Sequence, residues 1–271
     1  MKRILKALAL ILAVVLVIGA IIVSNALFGN PVSKALAKNS AKRYLGVSYP
    51  NTDLEITDVS YSFKDGYYYV YVESASSIDT HFVLMMNSLG RLHYDDYESV
   101  SSGRNTADRI NNEYRSRVDS VLNSASFHYY VSIGFGEIVF EMPADTDTLD
   151  YAIDMSELIL DKEYNVQELG AKAGKLTLYI EDETVSVERL AEILISIRVI
   201  FDDAGVRFYA IDCVLEYPIG DDCVAREGHV EVAEFLYSDI YEQGMTERVE
   251  KANEEAKARL ESTNTKESPI N

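Results

Sequence analysis

The sequence predicts an α+β protein, in which an N-terminal transmembrane helix precedes two small α+β domains. Each domain is expected to be a mostly antiparallel or mixed sheet with helices on one face. Three observations predict this. Residues 7–23 form an unbroken apolar run. Beyond it, segments that alternate with period two are interleaved with segments of helical spacing. Finally, a stretch rich in turn residues at 143–147 coincides with a change in charge.

The apolar run is long enough to cross a membrane. Ile4 and Leu5 extend it to residues 4–23, because the stem of Lys6 can snorkel to the headgroups. About 20 helical residues span roughly 30 Å, the thickness of bilayer hydrocarbon. Basic residues precede the run at Lys2, Arg3 and Lys6, and the next charged residue is Lys34. The positive-inside rule therefore predicts a cytoplasmic N-terminus (residues 1–28 forming the tip and anchor) and an extracytoplasmic body.

A cleaved signal peptide is the alternative to an anchor. Ser24, Asn25 and Ala26 place small residues at the offsets of a cleavage site. The apolar run, however, exceeds the roughly 7–15 residues of a usual signal-peptide core. We therefore favour an uncleaved anchor and keep cleavage after Ala26 as the alternative.

The first domain is expected to cover residues 29–141 and to begin with a helix. Asn30 supplies an N-cap and Pro31 takes the first helical position. The helix is expected to end near Leu45, with Gly46 as its left-handed C-cap.

Strands and one further helix complete this domain. Segments between residues 54 and 95 alternate with period two and are separated by turn sequences, which predicts antiparallel strands. Asn105 is expected to cap the next helix. Residues 129–141 are expected to form a strand that is interrupted at Gly134 and Gly136.

The second domain is expected to cover residues 142–262, with residues 263–271 as a disordered tail. Asn165 and Gly174 are expected to bound a short helix, and Ser186 is expected to cap a longer one whose apolar residues follow helical spacing. The other predicted elements are strands at 176–180, 207–217 and 230–236 and a charged helix at 246–262.

Charge restricts the class of partner. The chain holds 44 acidic and 25 basic residues, a net charge of -19, and most of the excess acid lies in residues 142–271. A body this acidic repels phosphate backbones, so nucleic acid is not expected as a partner. Anionic lipid surfaces should be avoided beyond the anchor for the same reason. A basic or cell-surface protein is the partner that this charge favours.

No motif marks a catalytic, cofactor or metal site. The sequence has no H-E-x-x-H and no G-x-S-x-G pattern. The glycines at Gly170 and Gly174 do not fit a phosphate loop, because Leu176 replaces the hydroxyl residue and a strand follows. We therefore expect a non-catalytic protein without cofactor or metal. The alternatives are a cell-envelope hydrolase that uses two carboxylates and a sensor or inhibitor of a surface protease.

The two cysteines, Cys213 and Cys223, are expected to be free thiols. Cys213 lies on the apolar face of a predicted strand and should be buried. With a turn centred on Gly220, it faces a position near Glu227. Cys223 then lies about 13 Å away at roughly 3.3 Å per residue, beyond the roughly 7 Å that a disulfide can bridge.

Tyrosine is the most distinctive residue type: the chain has 19 tyrosines and no tryptophan. Tyr67, Tyr69 and Tyr71 alternate along one strand and should share one face. Such a row suits either a half-buried sheet surface, with rings packed and hydroxyls in water, or a recognition surface. We take these three residues as one candidate interaction surface.

The charged C-terminal helix supplies the other candidate surface. Glu250, Glu254 and Glu255 lie on it, within the acidic half of the chain. Spread acidic charge gives a long-range field that attracts basic partners and is screened by salt.

Several stretches resemble the YfjL-like membrane-anchored proteins of Gram-positive bacteria. The resemblance is carried by residues 29–31 (GNP), 61–66 (YSFKDG), 77–82 (SIDTHF), 208–212 (FYAID) and 237–241 (YSDIY). It implies an anchored N-terminal domain followed by a C-terminal domain on the extracytoplasmic face. It implies no activity and no catalytic residues.

Overall fold

The computed structural model describes residues 2–142, 149–218 and 228–266, and the chain divides into two compact units. Unit 1 comprises Met1–Thr106 and Ile159–Asp161, and unit 2 comprises Ala107–Leu158 and Lys162–Asn271. This division lies earlier in the chain than the boundary expected at 141/142. The turn-rich stretch at 143–147 lies outside the described residues.

The chain begins with the long apolar helix α1 (Lys2–Phe28), as predicted. Its 27 residues extend about 40 Å at roughly 1.5 Å per residue. Within the described residues, α1 is the helix with the length and composition needed to cross a membrane, a property that signal sequences share. Aliphatic side chains such as Leu16 and Ile22 are exposed along it. Such exposure suits a helix whose solvent is lipid.

Unit 1 is an antiparallel sheet with a helix packed on one face. Its strands are hydrogen-bonded in the order β1-β2-β3-β4. The elements are α2 (Pro31–Ser48), β1 (Leu54–Tyr61), β2 (Tyr68–Ser74), β3 (His81–Met86), β4 (Leu92–Asp95) and α3 (Glu98–Ser101).

Helix α2 covers the sheet through small residues. Asn30 caps it as predicted, its side chain accepting from the Ser33 amide. Ala37 and Ala41 are fully buried against Val70 and Leu84 of the sheet. Small side chains at every fourth position let the helix lie close to the strands.

The predicted C-cap at Gly46 is wrong. Helix α2 continues to Ser48, and the amide of its C-cap residue Tyr49 donates to the Leu45 carbonyl. A Cβ at Gly46 would meet no atom within 4 Å. The left-handed residue that follows the helix is Asn51, with φ of 62°.

The predicted N-cap at Asn105 is also wrong. Helix α4 (Arg104–Leu122) already includes this residue. Asn105 is buried, and its amide donates to the carbonyls of Asp79 and His81 at 2.9 and 2.6 Å. The side chain therefore satisfies backbone acceptors at the start of β3 rather than the end of a helix.

Unit 2 is built on a mixed sheet in the order β10-β9-β8-β5, with β8 and β9 parallel and the outer pairs antiparallel. A short parallel pair joins β6 and β7. Besides residues 107–122 of α4, its elements are β5 (Tyr130–Ile138), β6 (Phe140–Glu141), β7 (Ile153–Asp154), α5 (Val166–Ala173), β8 (Gly174–Glu181), α6 (Val187–Asp203), β9 (Ala210–Glu216), β10 (His229–Leu236) and α7 (Met245–Lys266).

The end of α7 extends past the expected limit. The tail was expected from residue 263, whereas α7 runs to Lys266; residues 267–271 lie outside the described residues.

The predicted interruption of β5 at its two glycines is wrong. β5 pairs with β8 on both sides of Gly134 and Gly136. A Cβ at Gly136 would lie 2.5 Å from Val118 Cγ2 and 3.1 Å from Tyr114 Cε1, both on α4. The glycines therefore let α4 approach the sheet. This close packing explains why residues 107–122 of α4 group with β5 in unit 2.

The α6 helix follows its sequence signals. Ser186 is its N-cap and accepts from the Arg189 amide. The apolar residues of helical spacing, Leu190 and Ile197 among them, are fully buried in the unit 2 core. Gly205, with φ of 68°, follows the helix.

We expect alanine at Gly136 and at Gly46 to have opposite effects. Gly136→Ala forces a Cβ against a β-branched side chain, and overpacking of this kind costs about 1–3 kcal/mol. Gly46→Ala fills open space at an exposed position of α2 and should raise the free energy of unfolding by about 0.5–1 kcal/mol. Denaturant unfolding of the full chain in detergent, followed by circular dichroism, measures both. Equal stability of Gly136→Ala and wild type would contradict the close packing of α4 on β5.

Candidate functional site

The best-defined surface of unit 1 is the sheet face opposite α2. Tyr68, Val70 and Val72 of β2 are buried under the helix, so the residues that alternate with them point the other way. Tyr69 and Tyr71 lie there, as predicted. Neighbouring strands add apolar side chains, because Tyr69 pairs with Met85 and Met85 with Tyr94, while Tyr71 pairs with Val83. We call this set the aromatic face: Tyr67, Tyr69, Tyr71, Val83, Met85, His93 and Tyr94.

Tyr67 joins the aromatic face through a histidine. It lies just before β2, and its ring stacks on His93 at a centroid distance of 4.5 Å. Met85 pairs with Tyr94 and Met86 with Leu92, which leaves His93 in a bulge. The extra residue in β4 turns the imidazole onto Tyr67.

Neighbouring polar groups hold the tyrosine hydroxyls. The Tyr69 hydroxyl donates to Asp65 at 2.5 Å and the Tyr94 hydroxyl to Asp96 at 3.2 Å. The hydrogen bond to Asp65 raises the pKa of Tyr69 above its ordinary value, and the charge of Asp96 does the same for the pKa of Tyr94. Both phenols therefore stay neutral in the physiological range, with their rings held in place at the surface.

Carboxylates surround the aromatic face. Besides Asp65 and Asp96, Asp58 lies opposite Tyr71, and Glu73 alternates with Tyr71 along the same face of β2. We call these four residues the acidic rim. Exposed aromatic rings attract cations through their π faces, and nearby carboxylates strengthen that attraction. Tyr71 and Tyr94 are 39% and 47% exposed, so a lysine or arginine side chain can reach their rings.

The second predicted surface has a different character. Glu250, Glu254 and Glu255 are exposed on α7 in unit 2, and Glu255 pairs with Lys251 at 3.7 Å. Residues 245–259 hold four acidic and four basic residues. The basic side chains alternate with the glutamates, so this part of α7 is not a concentrated acidic patch.

Cys213 is buried as predicted, but the residue that it pairs with on the neighbouring strand is not the expected one. It pairs with Val232 rather than with a position near Glu227. That pairing register was wrong because the connection between β9 and β10 was placed too early in the chain. Cys213 is a free thiol, and full burial raises its pKa to about 12. Cys223 lies outside the described residues.

The structure brings together one pair of carboxylates that the sequence analysis did not suggest. The Asp79 amide donates to Asp161 Oδ1, and the Asp161 amide donates to Asp79 Oδ2, both at 2.9 Å. Thr106 also donates to Asp79, which is 1% exposed. These donors connect the two segments of unit 1, so the pair suits a latch that holds residues 159–161 in that unit rather than a proton-transferring site. In the described part of the chain, no group of three or more His, Cys, Asp or Glu residues could hold a metal ion.

Two family models match the chain. The model of the YfjL-like N-terminal domain matches residues 4–96, and that of the YfjL-like C-terminal domain matches residues 113–250. The junction between units 1 and 2 falls between these ranges. No curated protein and no solved structure matches the chain.

The Cys213 thiol should be unreactive in the folded protein. In a Cys223→Ser variant, alkylation at pH 8 without reductant should add no adduct to the native chain and one in denaturant, read from intact mass. The pKa of Cys213 is about 12 in the folded chain and near 9 in the unfolded chain. The contribution of this pKa difference to the free energy of unfolding is therefore complete below pH 9. Unfolding measured against pH should show that contribution falling as pH rises from 9 towards 12. Rapid native alkylation would contradict the burial of this strand.

Proposed function

We propose that this chain, which belongs to the YfjL-like family, is a non-catalytic binding protein, anchored by α1 in the cell membrane of a Gram-positive bacterium with both units outside the cytoplasm. Its partner is a cell-surface polypeptide that presents lysine or arginine side chains. The observation that carries the proposal is the aromatic face enclosed by its acidic rim.

The orientation is supported by the charges nearest the membrane. Lys2, Arg3 and Lys6 adjoin the start of the apolar run, whereas the first base on the other side is Lys34, eleven residues beyond Val23. Bases are counted toward orientation within about 15–20 residues of the ends of a span. Those of α2 lie 11–20 residues beyond Val23, towards the limit of that window, whereas Lys2, Arg3 and Lys6 directly adjoin the span. This supports a cytoplasmic N-terminus.

The aromatic face has the composition of a contact surface. Tyrosine supplies large, rigid contact area with little conformational entropy to lose, and it is enriched at binding hot spots. The rim carboxylates that hold Tyr69 and Tyr94 restrict their rings further. Rings fixed before binding lose less entropy when a partner docks.

Hydrolysis is the less favoured alternative. A glycosidase places two carboxyls across a cleft, roughly 5–9.5 Å apart, with one able to donate a proton. The carboxylates that the structure draws together, Asp79 and Asp161, accept backbone amides instead. On the aromatic face, Asp65 and Asp96 act as hydrogen-bond acceptors for phenols.

The acidic residues of α7 are assigned a supporting role. With four bases interspersed among them, Glu250, Glu254 and Glu255 do not form a docking site. They contribute to the field of the acidic body, which accelerates encounter with a basic partner. Long-range attraction of this kind acts on the association rate.

The proposed topology can be tested with wall-stripped cells. Added protease should digest the body, and the body should remain with the membrane after a salt wash, since α1 holds it there. Immunoblots with antibodies against each unit give the result. A protected body would contradict the orientation, and a body released into the medium would show cleavage near Ala26.

The aromatic face can be tested with a lysine-rich peptide as the ligand. Tyr71→Ser combined with Tyr94→Ser should weaken binding about tenfold, because each cation–π contact at an exposed site is worth about 0.5–1 kcal/mol. Tyr130→Ser removes a tyrosine of unit 2 that is 67% exposed and is the matched control. Biolayer interferometry of the full chain in nanodiscs gives both rates.

The same measurement distinguishes the role of the aromatic face from that of the glutamates on α7. Replacing Glu250, Glu254 and Glu255 with glutamine should slow association and leave dissociation unchanged, whereas the tyrosine variant should accelerate dissociation. The aromatic face would be excluded as the contact surface if the tyrosine variant bound like wild type.

A further inference from the structure

Acidic residues are absent from the start of this acidic chain. The first 52 residues contain seven basic residues and no acidic residue, and the first acid is Asp53. The remaining residues contain 18 basic and 44 acidic residues. Four of the seven early bases lie on α2, namely Lys34, Lys38, Lys42 and Arg43.

Helix α2 is held close to the apolar helix. Only Gly29 and Asn30 separate α1 from α2. At no more than about 3.5 Å per residue, the first turn of α2 lies within roughly 10 Å of the end of α1. If α1 crosses a bilayer, α2 therefore starts at the headgroup level.

Contacts with the sheet fix this junction. Gly29 has φ of 69°, and a Cβ there would lie 2.7 Å from Tyr61 Cγ. The Tyr61 hydroxyl donates to the Ala26 carbonyl at 3.2 Å. The Asn30 amide donates to the Tyr68 hydroxyl at 2.9 Å. The junction is therefore not a free hinge, and the start of α2 stays beside the end of α1.

The lysines of α2 form one exposed line. Lys34, Lys38 and Lys42 are spaced four residues apart and lie beside the buried Ala37 and Ala41. Arg43 and three aliphatic residues are also exposed on the helix: Val32 (70%), Leu36 (43%) and Val47 (81%). Bases and exposed aliphatic side chains on the same helix are a feature of helices that lie in a membrane interface.

Two of these lysines line a groove of about 650 Å³ within unit 1. Lys38 and Lys42 form one wall, Asn51 and Thr52 contribute polar groups, and Glu55 is the one acid among the lining residues. This volume lies within the roughly 300–1,000 Å³ of small-molecule sites and can take a phosphodiester headgroup.

From these observations we infer that α2 lies on the membrane surface and that Lys34, Lys38, Lys42 and Arg43 bind the headgroups of anionic phospholipids in the bilayer that α1 crosses. Bases near an anionic surface are attracted to its headgroups within about a Debye length. Residues 53–271 are acidic and are repelled by such a surface. The expected avoidance of anionic lipid beyond the anchor therefore applies to the body apart from α2. The inference rests on the proposed anchoring by α1, but it does not depend on which side of the membrane the body occupies.

Lysine labelling of the full chain in nanodiscs tests the inference. One set of nanodiscs contains phosphatidylcholine alone, and the other contains about 30% phosphatidylglycerol, a composition that supplies a negative surface potential. Acetylation of Lys38 and Lys42, read by peptide mass spectrometry, should fall about fivefold with phosphatidylglycerol and recover at high salt. Lys64 and Lys251, exposed elsewhere in units 1 and 2, should be labelled equally in both. Equal labelling of Lys38 and Lys42 in the two compositions would overturn the inference.

A soluble anion is distinguished by repeating the labelling in detergent with glycerophosphate or inorganic phosphate. Neither should protect Lys38 or Lys42, since the inference assigns the site to lipid held at a surface. Protection by free phosphate at millimolar concentration would overturn lipid binding in favour of a soluble anion site.

A charge variant provides an independent measurement. Lys34, Lys38, Lys42 and Arg43 are all replaced by glutamine, which is a good helix former. In phosphatidylcholine the variant should melt at the wild-type Tm, which shows that it folds. Phosphatidylglycerol should raise the Tm of wild type and leave that of the variant unchanged. An equal rise in both proteins would overturn the role of these four bases, and so would no rise in either.

Discussion

The burial of Tyr68 is the constraint from which the rest of unit 1 follows. This side chain is 2% exposed, and its hydroxyl accepts a hydrogen bond from the Asn30 amide at the junction between α1 and α2. Because strand side chains alternate, burying Tyr68 toward α2 sends Tyr69 and Tyr71 to the other face. One hydrogen-bonded phenol therefore ties the sheet to the apolar helix and also sets which tyrosines remain exposed. A slip of one residue would bury the aromatic face and detach the junction.

Features set by nearby residues could be predicted from the sequence. Asn30, Asn165 and Ser186 each cap the expected helix, since a cap needs only the amides two or three residues ahead. The amphipathic spacing of α6 and the alternation of β2 were likewise sufficient to identify their buried sides. These signals are short in range, so they do not depend on how the chain folds elsewhere.

Features set by distant partners could not be predicted in this way. Asn105 has the residue type of a cap, but the carbonyls of Asp79 and His81 bind its amide. Gly136 has the residue type of a strand break, yet it makes room for Val118. In the candidate site, Tyr69 and Tyr71 followed from alternation, whereas Met85 and Tyr94 required the strand pairing. The bulge at His93 likewise depends on how β4 pairs with β3.

The two proposed surfaces are compatible because they lie on opposite sides of one sheet. Helix α2 packs on one face through Ala37 and Ala41, and the aromatic face is the other. If α2 rests on anionic headgroups, the sheet separates the aromatic face from the membrane and directs it toward other surface components. The charges agree with this arrangement, since α2 has no acids and the acidic rim surrounds the tyrosines. The same sheet would then keep a cationic partner apart from the lysines that repel it and the anionic lipids that would compete for it.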